Sequence, residues 1–223
     1  MPYRFEPCCT GGIYHVFNRS VAQQNVFRND GDYRRFFNLL SYYRFSNPKY
    51  RFSQYNRLPR SAQEEWHTRL MKQDQLVDIL SFCIMPNHFH MLLRQRVDGG
   101  IQRYARVLQN GYAKYFNVKT KRFGAVFQAM YKAVLIEKEE QLLHVARYIH
   151  LNPLTSCIVS SFSDLERYQW DSFAGYLGTV SMECVEQQTL ISLVGTSEKL
   201  RTHTIDQADY QRLLFVESYL YHD

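Results

Sequence analysis

Two short stretches of this sequence carry side chains that could do chemistry together. The first is Pro86-Asn87-His88-Phe89-His90-Met91-Leu92-Leu93. On a strand, alternate residues face the same way, so His88 and His90 stand side by side while Phe89 points to the opposite, buried face. Two imidazoles on a rigid strand form a two-point site for a divalent metal. The competing reading is a pair of surface histidines engaged in hydrogen bonds. The second stretch is Arg147-Tyr148-Ile149-His150-Leu151-Asn152-Pro153. On a helix, Tyr148 and Asn152 lie one turn apart on one face. Asn152 could supply a neutral oxygen to a metal with the Tyr148 phenol beside it, and His144, one turn earlier, could handle a proton. In a chain with 17 tyrosines, packing is the competing role for any one of them.

The elements that must position these groups can be read from local pattern. Gly11-Gly12 precedes Ile13 to Asn18, a β-rich run that predicts a first strand. Residues 30–46 predict a helix capped by Asp30 or Asp32, with Phe36, Leu39, Leu40 and Tyr43 at helical spacing. Residues 47–60 read as an irregular basic connection, and 61–74 as a polar helix. Val77 to Met85 and His88 to Arg94 read as two strands joined by a Pro86-Asn87 turn. After the Asp98-Gly99-Gly100 break, residues 101–117 read as an amphipathic helix with Tyr104, Val107, Leu108, Tyr112 and Tyr115 near one face. Residues 123–136 read as a further strand region. Residues 137–151 read as a helix favoured by Glu137, Glu139 and Glu140 at its N-terminal end and ended at Asn152-Pro153. The order predicts an α+β fold: a ferredoxin-like or RRM-like antiparallel sheet with helices packed on it, plus a C-terminal appendage.

Composition bounds the rest. At 223 residues, 45% apolar and 22% charged, the chain is globular rather than disordered. It is expected to form one catalytic domain over residues 1–160 with a mainly helical or irregular appendage over 161–223. No run approaches the roughly 18 apolar residues that span a bilayer, and the N-terminus lacks the apolar core of a secretory signal. The five cysteines form no C-x-x-C pair, which argues against a disulfide framework or a zinc ribbon. A cytoplasmic protein with reduced thiols and no membrane partner is expected. The net charge of +6 conceals two unlike parts, +13 over residues 1–135 and −7 over residues 136–223. Residues 101–135 contain no carboxylate. Arg103, Arg106, Lys114, Lys119, Lys121 and Arg122, with Arg19, could track phosphates. Tyr104, Tyr112 and Tyr115 could stack on bases, although their helical spacing favours core packing. The acidic tail could dock over the basic surface or pack elsewhere.

Taken together, "MPNHFHMLL", "GGIQRYARVLQNGYAKYFN", "GAVFQAMYKAVLIEKEE" and "ARYIHLNPL" resemble the single-tyrosine HUH transposases. Within them the chain is most similar to the REP-associated tyrosine transposases, domesticated relatives of single-stranded-DNA insertion-sequence transposases. The resemblance runs from about Gly12 to about Gly178, including "YQWDSFAGYLG". It implies that His88 and His90 are metal ligands, that Asn152 completes the metal site, and that Tyr148 is the nucleophile. It implies Mg²⁺ or Mn²⁺ as cofactor and single-stranded or hairpin (REP-like) DNA as partner. Cleavage would leave a 5′-phosphotyrosine intermediate and a free 3′-hydroxyl, acting as monomer or homodimer. The alternative is a non-catalytic RRM-like module that binds structured DNA or RNA. A replication initiator or relaxase is disfavoured, because no helicase segment and no second catalytic tyrosine are present.

Overall fold

The computed structural model describes residues 8–206; residues 207–223, the end of the acidic tail, lie outside the described residues. Strands β1 (Ile13–Arg19), β2 (Val77–Met85), β3 (His88–Gln95) and β4 (Lys132–Ile136) form one sheet in the order β2-β3-β1-β4. Every neighbouring pair is antiparallel. Helices α1 (Asp30–Tyr42) and α4 (Gly100–Thr120) complete a β-α-β-β-α-β order, with α2 (Phe52–Tyr55) and α3 (Arg60–Leu70) inserted after α1. This is the expected ferredoxin-like α+β architecture.

One face of the sheet is the main core. Tyr14, Val16 and Asn18 of β1 and Phe89, Met91 and Leu93 of β3 are buried. Phe36 of α1 lies 5.1 Å from Phe89 and 5.4 Å from Tyr112 of α4, ring to ring. Tyr104 and Tyr112 are wholly buried, and their hydroxyls donate to the carbonyls of Leu40 and Val26. They are core residues rather than stacking platforms. Their hydroxyls are satisfied, as burial of a phenol requires.

The other face carries α5 (Glu139–Thr155). Beyond it, α6 (Phe162–Leu165), α7 (Ser172–Tyr176), α8 (Gln188–Val194) and α9 (Ser197–Ile205) follow. Residues of this C-terminal segment join β2 directly: Cys83 bridges Asp171, Ile79 bridges Val185, and the Tyr176 hydroxyl donates to the Leu80 carbonyl at 2.7 Å. Trp170, Ala174, Tyr176 and Met182 belong to the same core as the sheet. That cover explains why β2 is buried along its whole length.

Several boundaries differ from the sequence expectation. Asn29, not Asp30 or Asp32, caps α1 by accepting from the Asp32 amide. Asp32 is freed to turn inward, where it accepts from the Lys119 ammonium at 2.6 Å and the Tyr115 hydroxyl at 3.0 Å. Of the expected 123–136 strand, only Lys132–Ile136 forms a ladder, because Gly124 adopts φ +95° and the chain loops out before a lone Ser20–Phe127 bridge. Helix α5 does not stop at Asn152: it runs through Pro153 to Thr155. The proline sits in the last turn, where burial of Leu151 and Leu154 against Leu165 and Phe173 outweighs the lost amide hydrogen bond.

Asp171 offers a test of this packing. It is fully buried; its Oδ1 accepts the Phe173 amide at 2.7 Å and its Oδ2 has no hydrogen-bond partner among the described residues. Burial pushes its carboxyl well above the usual carboxylate range. The folded chain therefore keeps this proton at pH values where the unfolded chain, with a pKa of about 4, has released it. Its contribution to stability is present below that pH and is lost as pH rises towards the folded value. Asp171→Asn keeps the acceptor for Phe173 and cannot ionise. Thermal unfolding from pH 4 to pH 8 should show the variant gaining on the native chain as pH rises. A difference independent of pH would show that this carboxyl carries no such linkage.

Candidate active site

β1 and β3 pair so that Phe17 lies opposite His90 and Arg19 opposite His88. With Val16 and Phe89 turned to the core, the side chains of His15, Phe17, Arg19, His88 and His90 emerge on the opposite face, towards α5. The two β3 imidazoles have ring centroids 5.0 Å apart at right angles. Tyr148 reaches them from α5, its ring edge-on to His90 at 5.4 Å. Asn152, one turn on, is 5% exposed and lines the cleft beside His88. His88, His90, Tyr148 and Asn152 thus share one cleft of about 860 Å³.

The helix running through Pro153 is what keeps this geometry. Had α5 ended before Asn152, its amide would not lie one turn above Tyr148. Instead Asn152 Nδ2 donates to the Tyr148 carbonyl at 3.2 Å, which leaves Oδ1 as the atom available to a cation.

The imidazoles are held by their Nδ1 atoms. His88 Nδ1 pairs with Asn87 Oδ1 at 2.6 Å, and His90 Nδ1 pairs with His15 Nε2 at 2.9 Å. In each ring Nε2 is the nitrogen those contacts leave over. Burial, with the Arg19 charge adding to it, lowers the pKa of His88 to about 4 and holds His90 well below the ordinary range. Both rings are therefore neutral near pH 7, the form that ligates metal.

This donor set fits a divalent ion. His88, His90 and Asn152, all neutral N or O donors, line one cleft, and no cluster of three His, Cys, Asp or Glu side chains competes with them among the described residues. A set that is neutral throughout leaves the ion's charge for an anionic ligand such as a phosphate.

The cleft's own cations are Arg19 and Lys132. Of the seven basic residues expected to meet DNA, only Arg19 lines it. Arg103, Arg106, Lys114 and Lys121 are exposed along α4 and its C-terminal end, a helix on the other face of the sheet. Arg122 lies over the Phe116 ring at 5.8 Å and reaches Gln24 beside the cleft. Lys119 is paired with buried Asp32. His144 turns to Arg147, 3.0 Å from its guanidinium, and does not line the cleft. Gln23 and Asn25 line its far wall from a turn in which Ala22 and Gln23 both take positive φ, 55° and 54°. Such strain costs about 1–2 kcal/mol per residue and collects at functional sites. Sequence reasoning missed Lys132 and His15. The signal for His15 lay in alternation: it shares a strand face with Arg19, but nothing local says which residue of β3 it meets.

Comparison with known proteins follows the same lines. No curated protein matches the sequence. A solved structure described as a REP-associated tyrosine transposase bound to a REP hairpin has the same fold, with a TM-score of 0.52 at 13% identity, covering 84% of this chain and 98% of that one. The family model described as "Transposase IS200 like" matches residues 36–152. That stretch is more than half of the chain and contains His88, His90, Tyr148 and Asn152, and the chain belongs to the IS200-like transposase family.

Proposed function

We propose that this chain is a metal-dependent single-stranded DNA endonuclease and strand transferase. It would act on hairpin, REP-like DNA through a 5′-phosphotyrosine intermediate. The observation that carries the reading is Tyr148 standing edge-on to His90, 5.4 Å away, in the cleft that also holds His88, Asn152 and Arg19. The fold shared with a protein bound to a REP hairpin supports the choice of DNA.

A Mg²⁺ or Mn²⁺ ion, when bound, supplies Lewis-acid polarisation of the scissile phosphate. His88 and His90 offer Nε2 and Asn152 offers Oδ1 to hold it. Arg19 contributes a fixed positive charge beside them, suited to a phosphate oxygen. Tyr148 is 38% exposed, so its phenolic proton can pass to water. Its oxygen then attacks phosphorus in line. The new bond joins Tyr148 Oη to phosphorus and the bond from phosphorus to the 3′ oxygen breaks. The departing strand takes a proton from water to become a 3′-hydroxyl, and the 5′ phosphate stays on Tyr148. Attack by a 3′-hydroxyl on that linkage rejoins strands without an external energy source.

Incubation with single-stranded hairpin oligonucleotides and Mn²⁺, followed by a denaturing gel, tests the reading. A covalent protein–DNA adduct is expected, abolished by chelator and reduced about 10³-fold or more in Tyr148→Phe. An adduct that persists in Tyr148→Phe would remove Tyr148 as nucleophile. Hairpin binding with no adduct and no cleavage would favour a non-catalytic binding module. A second measurement isolates Arg19. Arg19→Ala should weaken single-stranded DNA binding and make the salt dependence of log K shallower by about one phosphate contact. An unchanged salt slope would place Arg19 off the DNA path.

A further inference from the structure

A third imidazole, His15, backs His90 outside the cleft lining and lies before the residues matched by the family model. It stands opposite Leu92 on β3 and opposite Val134 on β4. His90 is therefore its diagonal neighbour across the β1–β3 pair, within reach of a long side chain. The two rings stack at 5.1 Å, and Nε2 of His15 meets Nδ1 of His90 at 2.9 Å. His15 also lies edge-on to the Tyr148 ring at 6.0 Å. It is thus in contact with both a ligand candidate and the nucleophile candidate of the reading above.

His15 does not join His88 and His90 as a third ligand. No group of three histidine, cysteine or carboxylate side chains is arranged to hold an ion among the described residues. Its Nε2 is spent on His90 instead. A ligating histidine needs its second nitrogen fixed by an acceptor, which sets both tautomer and ring orientation. His88 has that acceptor in Asn87 Oδ1. For His90 the corresponding atom is His15 Nε2.

We propose that His15 is the positioning residue of the His90 ligand: it accepts the Nδ1–H of His90, leaving the His90 Nε2 lone pair directed at the metal, and its ring braces Tyr148. The proposal rests on the metal reading given above. Phenylalanine at position 15 keeps a ring against His90 and Tyr148 but removes the acceptor. Glutamine places an amide oxygen near the position of the imidazole Nε2 and restores it.

Two readouts on the full-length protein test this. The first is Mn²⁺ affinity, measured from the free-ion paramagnetic resonance signal, with His88→Ala as the control for binding in the cleft. His15→Phe should weaken Mn²⁺ about 10–100-fold, the usual effect of losing such a partner. His15→Gln should remain within a few-fold of the native chain. The second is the imidazole ¹⁵N spectrum, which reports the tautomer without metal. His90 should carry its proton on Nδ1 in the native chain and in His15→Gln, and lose that preference in His15→Phe. Native-like Mn²⁺ affinity in His15→Phe, or a His90 proton on Nε2 in the native chain, would overturn the role of His15 alone. A native chain with no His88-dependent Mn²⁺ binding would overturn the metal reading itself, and the role of His15 with it.

Discussion

The pairing of β1 with β3 is the constraint on which the rest of the molecule depends. Phe17 faces His90 and Arg19 faces His88 across it. A slip of one residue would exchange the two faces of a strand. Val16 would then turn towards α5, and His15, Phe17 and Arg19 would turn into the core beside Phe36 and Tyr112. The register is held because the core face leaves no choice. Val16, Phe89 and Met91 have no measurable exposure, and Phe89 is wedged 5.1 Å from Phe36 and 5.6 Å from Phe127. Hydrophobic burial on one side of the sheet thereby sets the positions of polar groups on the other.

The second constraint is helix α5. Its buried residues, Leu142, Ala146, Ile149 and His150, press it onto the sheet, so that Tyr148 and Asn152 reach the histidines from above. The end of the helix is anchored by Leu151 and Leu154 against Leu165 and Phe173. The C-terminal segment therefore does more than extend the chain. By packing on β2 and under the end of α5, it supports the turn of helix that carries Asn152. His150, on the inward side, has its pKa lowered to about 3 by burial and hydrogen-bonds to Ser172, tying α5 to α7.

Charge is divided differently from the way a linear count suggests. The carboxylate-free stretch lies largely on α4, across the sheet from the cleft, and one of its lysines is committed to Asp32. The charge nearest the candidate ligands comes from Arg19 and Lys132 on the strands themselves. A basic helix and a basic cleft are thus two surfaces joined at the edge where Arg122 meets Gln24.

Short-range features were legible in the sequence. Alternation on a strand put His88 and His90 on one face, helical spacing put Tyr148 and Asn152 on another, and the order of elements determined the α+β class. These depend only on the repeat of a strand or a helix, which is local chemistry. The passage of α5 through Pro153 was not legible, because the local preference against it was outweighed by buried contacts with residues further along the chain. Nor was the place of His15. Its meeting with His90 spans 75 positions and exists only in one register of β1 on β3. The sequence by itself determined which groups could act; tertiary packing decided which of them meet, because register and docking are set by the apolar face of the sheet rather than by the residues of the cleft.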